Sequence, residues 1–250
     1  MVPAVTPAGS APRRRRSVST ATSEAQDGSW GAKAVRTRSA IIDAALRLFR
    51  QHGYEATTMR AIAAEAGVSV GNAYYYFASK QHLIQAFYDR TQVEHAQAAQ
   101  PILERETDLA ARIIGVTEAW LEVMEPYRAF AGTFFQNAAE PTSPLSPFSP
   151  ESAPARELSI NLWRQVVGGS DAKITKALRA DLPELLWLYF MGVVLYWVHD
   201  PTPNAARTRI LSTRTTPIIV RAIGLARLPV LRATLNDLLE LIRDLKTIGA

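Results

Sequence analysis

Apolar residues recur every three or four positions from about Thr37 onward, which is the spacing of amphipathic helices. The first apolar face is built around Ile41, Ala45 and Phe49. Gly53 is suited to the position that follows a helix C-terminus, so this helix is expected to end there. No stretch shows the alternation of a β-strand, and no sequence unit repeats. The pattern therefore predicts an all-α chain.

Two short helices separated by a tight turn follow the first helix. Thr57 is expected to cap one of them, Gly67 to supply the positive φ of the turn, and Ser69 to cap the next. A fourth helix, capped by Ser79, is expected to end just before Pro101. Two helices joined by a Gly-containing turn are typical of a helix-turn-helix, which lays its second helix in the DNA major groove.

The rest of the chain is also predicted to be helical. A loop rich in Pro and Ser at 140–155 is long enough to be either mobile or functional. The longest apolar run, at 185–198, has 14 residues, fewer than the roughly 18 to 20 that a membrane span needs. It therefore predicts a buried helix, which Pro183 opens. A further apolar helix is expected at 205–228.

Residues 1–34 are rich in Pro, Ser, Thr, Ala and Arg without periodicity, which predicts a disordered basic arm. Its four arginines, Arg13–Arg16, would either follow phosphates or stay solvated. Residues 1–90 carry 12 Lys/Arg against 6 Asp/Glu, whereas residues 91–250 carry 16 against 17. The positive excess coincides with the helix pair, as expected for a surface that binds a polyanion.

Features of catalytic and metal sites are scarce in the sequence. There is no cysteine, the four histidines do not share a metal-binding spacing, and no Gly-rich phosphate loop occurs. These observations argue against an enzyme, and we expect neither a cofactor nor a metal.

The segment from Arg38 to Leu83 resembles the DNA-binding domain of the TetR family, the tetracycline-repressor-like bacterial regulators. The matching residues are Ala44-Ala45, Leu48-Phe49, Gly53-Tyr54, Thr57-Thr58, Ile62-Ala63, Ala66-Gly67-Val68-Ser69, Gly71, Tyr74, Phe77, Ser79-Lys80 and Leu83. The segment departs from the family at Gln81, where Glu is usual, and at Ala73, where Leu or Ile is frequent. The resemblance implies a three-helix helix-turn-helix domain at 35–90, followed by a helical effector-binding and dimerisation domain at 91–250.

The candidate DNA-binding side chains divide into two groups. Contacts to phosphates position a protein without reading sequence, and this role is assigned to Arg38, Thr58, Tyr74, Tyr76 and Lys80. The family uses the positions of Tyr74 and Tyr76 in this way. Base reading is assigned to Arg60, Val70, Gly71, Asn72 and Tyr75, because Asn pairs with adenine, Arg with guanine, and Val contacts the thymine methyl.

Ser69, at the start of the recognition helix, completes this set. Three alternative roles remain open at this stage: a local helix-start bond for Asn72, a solvent-facing ring for Tyr75 and a phosphate contact for Arg60.

The C-terminal region is rich in large apolar side chains, which either line an effector pocket or form plain core. The candidates are Trp120, Met124, Tyr127, Phe134, Trp163, Trp187, Phe190 and Met191. Because few charges lie nearby in sequence, an effector would be apolar or aromatic. The resemblance implies a homodimer, and the apolar helices at about 183–199 and 205–228 are the expected interface. A two-fold dimer reads a palindromic operator.

We therefore predict a sequence-specific transcriptional regulator, a repressor that a small effector releases from its operator. It would act in the bacterial cytoplasm, on nucleoid DNA when bound, without membrane association. An activator of the same family is the alternative. A non-specific DNA-binding protein driven by the basic arm is less favoured.

Overall fold

A computed structural model describes residues 21–128, 131–132, 143 and 145–225, with side chains from residue 31 onward. The described residues form helices and connecting turns without a β-strand, which confirms the all-α prediction. The helices are α1 (Ala21–His52), α2 (Met59–Glu65), α3 (Val70–Tyr76), α4 (Lys80–Arg105), α5 (Leu109–Met124), α6 (Ala153–Gly168), α7 (Lys176–Val198) and α8 (Ala206–Leu225). Short 3-10 turns lie at Glu125–Tyr127 and Pro203–Ala205.

Helix α1 begins earlier than the sequence pattern indicates. Residues 21–34 are helical, so the prediction that the disordered arm extends to residue 34 is wrong for this stretch. The stretch contains no proline and several good helix formers, which favour a helix even where no apolar face is present. The remainder of the predicted arm, residues 1–20, lies outside the described residues. The described chain divides into two units, one ending at Ala40 and the other beginning at Ile41.

The end of α1 packs with α2, α3 and the start of α4 around one apolar cluster. Its most buried side chains include Ile41, Ile62, Ala73 and Ile84. The two glycines expected at a helix end and in the turn have positive φ angles, +82° at Gly53 and +67° at Gly67.

The caps of these helices follow the predictions with one exception. Ser69 and Ser79 accept backbone bonds from Asn72 and His82 at 3.1 and 3.4 Å, as predicted. Helix α2, however, is capped by Thr58, whose Oγ1 accepts from the Ala61 amide at 3.2 Å. Thr57, the predicted cap, is buried and donates its hydroxyl to the Gly53 carbonyl at 2.7 Å.

Two prolines that were expected to end or open helices lie inside them instead. Helix α4 continues past Pro101 to Arg105, and α7 begins at Lys176, before Pro183. Tertiary packing offsets the lost backbone hydrogen bond at Pro101. Ile102 lies against Gly115 of α5, where a Cβ atom would stand only 2.6 Å from Ile102 Cγ2.

Helices α4 to α8 enclose a second core that is rich in aromatic rings. Trp120 contacts Trp197 and Phe190, with ring centroids 4.9 and 5.3 Å apart. Trp163, which is fully buried, lies 5.5 Å from Phe190. The close packing of these rings supports the prediction of a substantial apolar interior.

A buried arginine joins the ends of two helices in this core. The Arg112 guanidinium donates to the carbonyls of Leu103 and Glu106 at the end of α4, and of Gln165 and Val166 near the end of α6. Helix C-termini carry unpaired carbonyls and partial negative charge, so a cation is favourable there. Burial lowers the pKa of Arg112 from its ordinary value. The sequence pattern did not indicate this role.

Helix α7 is long and apolar enough to cross a membrane by length and composition alone. One such helix is weak evidence, because core helices of soluble proteins meet the same criteria. In this structure Leu186, Trp187, Phe190 and Trp197 of α7 are buried in the core described above.

Candidate nucleic-acid interface and ligand cavity

The predicted recognition helix, α3, has one buried face and one exposed face. Ala73 and the following residue Phe77 are buried in the N-terminal cluster. Val70, Tyr74 and Tyr75 are 38%, 51% and 83% exposed. Large apolar side chains that are exposed together on one short helix are typical of an interaction surface. The helix therefore offers three large side chains to an external partner.

The remaining α3 candidates differ in how far they reach solvent. Asn72 is half-buried, and its backbone amide is held by Ser69, while Gly71 is exposed. Tyr76 is half-buried against the N-terminal cluster, with its ring edge-on to Tyr75 at 5.2 Å. Tyr76 therefore fixes the position of α3 in addition to any contact with a phosphate.

Lys80 is already engaged within the protein. Its Nζ donates to the carbonyls of Tyr54 at 2.6 Å and Glu55 at 3.3 Å, and it lies 4.4 Å from the centre of the Tyr54 ring. Two of the three ammonium donors thus hold the turn between α1 and α2. A phosphate contact at Lys80 would use the third.

Other candidates lie on neighbouring helices. Arg60 is exposed on α2, and Thr58 is exposed while it caps that helix. Arg38 is exposed on α1, in the unit that ends at Ala40. An ion pair that the sequence did not indicate, between Arg47 and Glu65 at 2.8 Å, joins α1 to α2.

Helices α4, α5, α6 and α7 surround a cavity of about 110 Å³. Five of the predicted effector-binding residues line it: Trp120, Met124, Trp187, Phe190 and Met191. The wall is mainly apolar and aromatic, as small-molecule sites usually are.

Three predicted effector-binding residues are not part of this wall as described. Trp163 is fully buried core and does not line the cavity. Tyr127 does not line it either, because its ring packs on Phe87 at 4.8 Å and its hydroxyl accepts from Arg90 at 3.4 Å. Phe134 lies outside the described residues.

The sequence analysis missed three cavity residues on α4, namely Tyr88, Thr91 and Gln92. They follow directly on Leu83, Ile84 and Phe87, which belong to the N-terminal cluster. One helix therefore carries part of the cavity wall and part of the core that supports α3. They were missed because the predicted effector-binding residues all lie at Trp120 or later in the chain.

The Pro-rich loop also contributes to the wall, through Pro147 and Ser152. Arg156 of α6 lines the cavity too, and its Nη1 donates to the carbonyls of Pro147 and Ser149 at 2.7 and 3.1 Å. Arg156 therefore places a positive charge in the wall of this cavity, where the sequence analysis expected almost no charge near an effector. Within the described part of the chain, no group of three or more His, Asp or Glu could hold a metal ion.

Comparisons with known proteins match both halves of this architecture. The family described as "Tetracyclin repressor-like, C-terminal domain" matches residues 112–242, about half of the chain, and "Bacterial regulatory proteins, tetR family" matches residues 41–87. The chain belongs to the TetR family. It is therefore a DNA-binding transcriptional regulator and not an enzyme, as predicted.

Curated relatives match over a short segment. The HTH-type transcriptional repressor KstR of Rhodococcus jostii is 46% identical over 71 residues, which are 28% of this chain and 33% of that protein. The A-factor receptor protein of Streptomyces griseus is 38% identical over 73 residues, 28% of this chain and 26% of that protein. The matches thus span a third or less of these relatives' length.

Solved structures agree with the fold over most of the chain. The TetR transcriptional regulator from Nitrosomonas europaea is 21% identical, with a TM-score of 0.56, and the match covers 72% of this chain and 96% of that one. A tetR-family regulatory protein from Rhodococcus RHA1 is 19% identical, with a TM-score of 0.51, covering 75% and 97%. Together with the family match, they confirm a helix-turn-helix domain followed by a helical domain.

Proposed function

We propose that this regulator is a homodimeric repressor that binds a palindromic operator and is released by a small, largely apolar effector. It acts in the bacterial cytoplasm, on nucleoid DNA. The observation that carries the proposal is α4, which supports the exposed recognition helix at one end and lines the ligand cavity further along. An effector that alters the packing of α4 would bias the position of α3. Coupling of about 1–3 kcal/mol between the two sites would suffice for regulation.

Base reading is proposed for Arg60, Val70, Gly71, Asn72 and Tyr75. The exposure of Arg60, Val70 and Tyr75 supports this role, since side chains that read bases must reach beyond the protein surface. Phosphate contacts are proposed for Arg38, Thr58, Tyr74, Tyr76 and Lys80. Ser69, which caps α3, is proposed as a further DNA contact.

The dimer interface is proposed to lie on α7 and α8. Both helices carry large apolar side chains that the chain itself leaves exposed: Leu195 is 47%, Ile210 54% and Ile218 56% exposed. A second copy that covers them would remove this apolar area from water. Light scattering after size exclusion tests the interface: Leu195→Glu and Ile218→Glu should yield monomers. Leu158→Glu, at a 50% exposed position on α6, should leave the dimer intact.

The cavity is proposed as the effector site. Ala155 is a buried residue of its wall, so Ala155→Phe should fill part of the space. Compounds that raise the melting temperature of the protein should weaken its binding to operator DNA. The Ala155→Phe variant should bind DNA normally and no longer respond. A variant that responds unchanged would place the effector site elsewhere.

The direction in which gene expression changes distinguishes a repressor from an activator of the same family. A reporter gene under a promoter that contains the operator should rise in expression when the regulator is deleted. Expression that falls on deletion would identify an activator.

A further inference from the structure

The cavity wall contains two buried polar groups that have no hydrogen-bond partner among the described residues. Ser159 is 3% and Trp197 1% exposed, and both line the cavity. Neither Ser159 Oγ nor Trp197 Nε1 has a hydrogen-bond partner in the structure as described. A buried polar group without a partner loses its hydration and gains nothing in return. Both atoms have almost no accessible surface, so a ligand that displaces the side chains covering them would supply the missing bonds.

The wall contains dedicated donors beside groups that can donate or accept, the latter including the Gln92 amide and the Thr91 hydroxyl. An indole Nε1 and a guanidinium can only donate, and a hydroxyl can donate or accept. Arg156 is the third group of interest. Its Nη1 donates to two backbone carbonyls, so Nε and Nη2 are the donors that a ligand could use. No Asp or Glu lies among the described residues that line the cavity. The wall therefore offers donors and one positive charge, with no negative charge to balance a cation.

We propose that the effector is a compact, largely apolar molecule with a hydrogen-bond-accepting oxygen and without a positive charge. The Trp197 N–H and the Ser159 hydroxyl donate to that oxygen. The rings of Trp120, Trp187 and Phe190 cover the hydrocarbon body. This inference rests on the proposed effector role of the cavity and adds the polar chemistry of the ligand. A cation would lose its hydration beside Arg156 and find no carboxylate to pair with.

Three probes of similar shape separate these features: ethylbenzene, acetophenone and 1-phenylethylamine, the last a cation at neutral pH. Each is titrated into the full chain while the indole N–H signals are followed by ¹H–¹⁵N NMR. Acetophenone should bind about tenfold tighter than ethylbenzene, because it satisfies donors that are otherwise unpaired. The amine should bind more weakly than either. The Trp197 indole signal should move downfield with acetophenone alone.

Variants assign the effect to the cavity donors. Trp197→Phe removes the N–H and keeps an aromatic ring, so the preference for acetophenone over ethylbenzene should vanish. Trp163→Phe is the matched control, since Trp163 Nε1 is also buried and unpaired but does not line the cavity. That variant should keep the preference. Ser159→Ala should reduce the preference severalfold with little change to packing, which provides a second test if either Trp variant folds poorly.

Each contrary result has a distinct meaning. Equal affinity for acetophenone and ethylbenzene would overturn the oxygen acceptor while leaving an apolar effector site in place. Tighter binding of the amine, held by the faces of the aromatic rings, would overturn the exclusion of cations. Failure of all three probes to bind would overturn this inference, while the effector role of the cavity is judged by the response of the Ala155→Phe variant. The DNA-binding part of the proposed function is judged separately by DNA measurements.

Discussion

Acidification should destabilise this protein through one buried histidine. His95 of α4 is completely buried, with its ring stacked on Phe190 at 5.9 Å. Its Nε2 lies 2.8 Å from the Val116 carbonyl, so that nitrogen carries the proton of the neutral ring. Nδ1 has no hydrogen-bond partner in the described structure. Burial lowers the pKa of His95 from its ordinary value of 6.5 to about 4, since a second proton would sit on an unsolvated, unpaired nitrogen.

The sign and size of the effect follow from this lowered pKa. Between pH 4 and 6.5 the unfolded chain binds the proton and the folded chain does not, so stability falls as the pH is lowered through this range. One pKa unit corresponds to about 1.4 kcal/mol, so moving from pH 7 to pH 5 should reduce the free energy of unfolding by about 2 kcal/mol.

Urea unfolding at pH 7 and pH 5, at one fixed protein concentration, measures the difference. His95→Leu removes the titrating group. Its free energy of unfolding should therefore fall by about 2 kcal/mol less between pH 7 and pH 5 than that of the unsubstituted protein. The Val116 carbonyl lies inside α5 and retains its helical environment in this variant. An equal pH dependence in both proteins would refute the assignment to His95.

Three further predictions concern single substitutions. In Gly169→Ala the new Cβ would collide with the Arg112 guanidinium, which its hydrogen bonds hold in place. Urea unfolding should show a free energy of unfolding lowered by about 1–3 kcal/mol. Gly168→Ala, whose Cβ meets nothing within 4 Å, is the control. In Lys80→Ala the loss of two bonds to the turn between α1 and α2 should lower stability by about 1 kcal/mol and weaken binding to all DNA sequences alike; unchanged stability would contradict the contacts described. In Asn72→Ala, fluorescence anisotropy should show a loss of about 1–3 kcal/mol that is confined to particular base pairs of the operator, and a uniform loss would contradict base reading.

Local signals predicted the N-terminal helices well. Gly53, Gly67, Ser69 and Ser79 act through backbone geometry and short-range hydrogen bonds, which depend on few neighbours. The choice between Thr57 and Thr58 as the cap of α2 needed the folded structure, because adjacent threonines carry the same local signal.

The helix boundaries predicted from Pro101 and Pro183 were wrong, because the local cost of a proline was smaller than the stabilisation from tertiary packing. An internal proline costs about 3 kcal/mol in an isolated helix. At Pro101 the helix continues where Ile102 packs on α5, and Pro183 is itself buried. Such long-range packing leaves no trace in the local pattern.

The candidate effector site was only partly predictable for a related reason. The sequence identifies aromatic residues that will be buried, but Trp187 faces a cavity while Trp163 fills solid core. That difference depends on how helices distant in sequence meet. Arg156 and the loop residue Pro147 enter the wall together through a hydrogen bond that no sequence spacing indicates.

In our proposal a dimer of this chain reads DNA sequence through two copies of α3. Selection of bound sequences from a random DNA pool, with the full chain at near-physiological salt, would test this directly. We expect an enriched palindrome with half-sites spaced to match two recognition helices on one face of the duplex. No enriched motif, with binding that depends steeply on salt for every sequence, would contradict it.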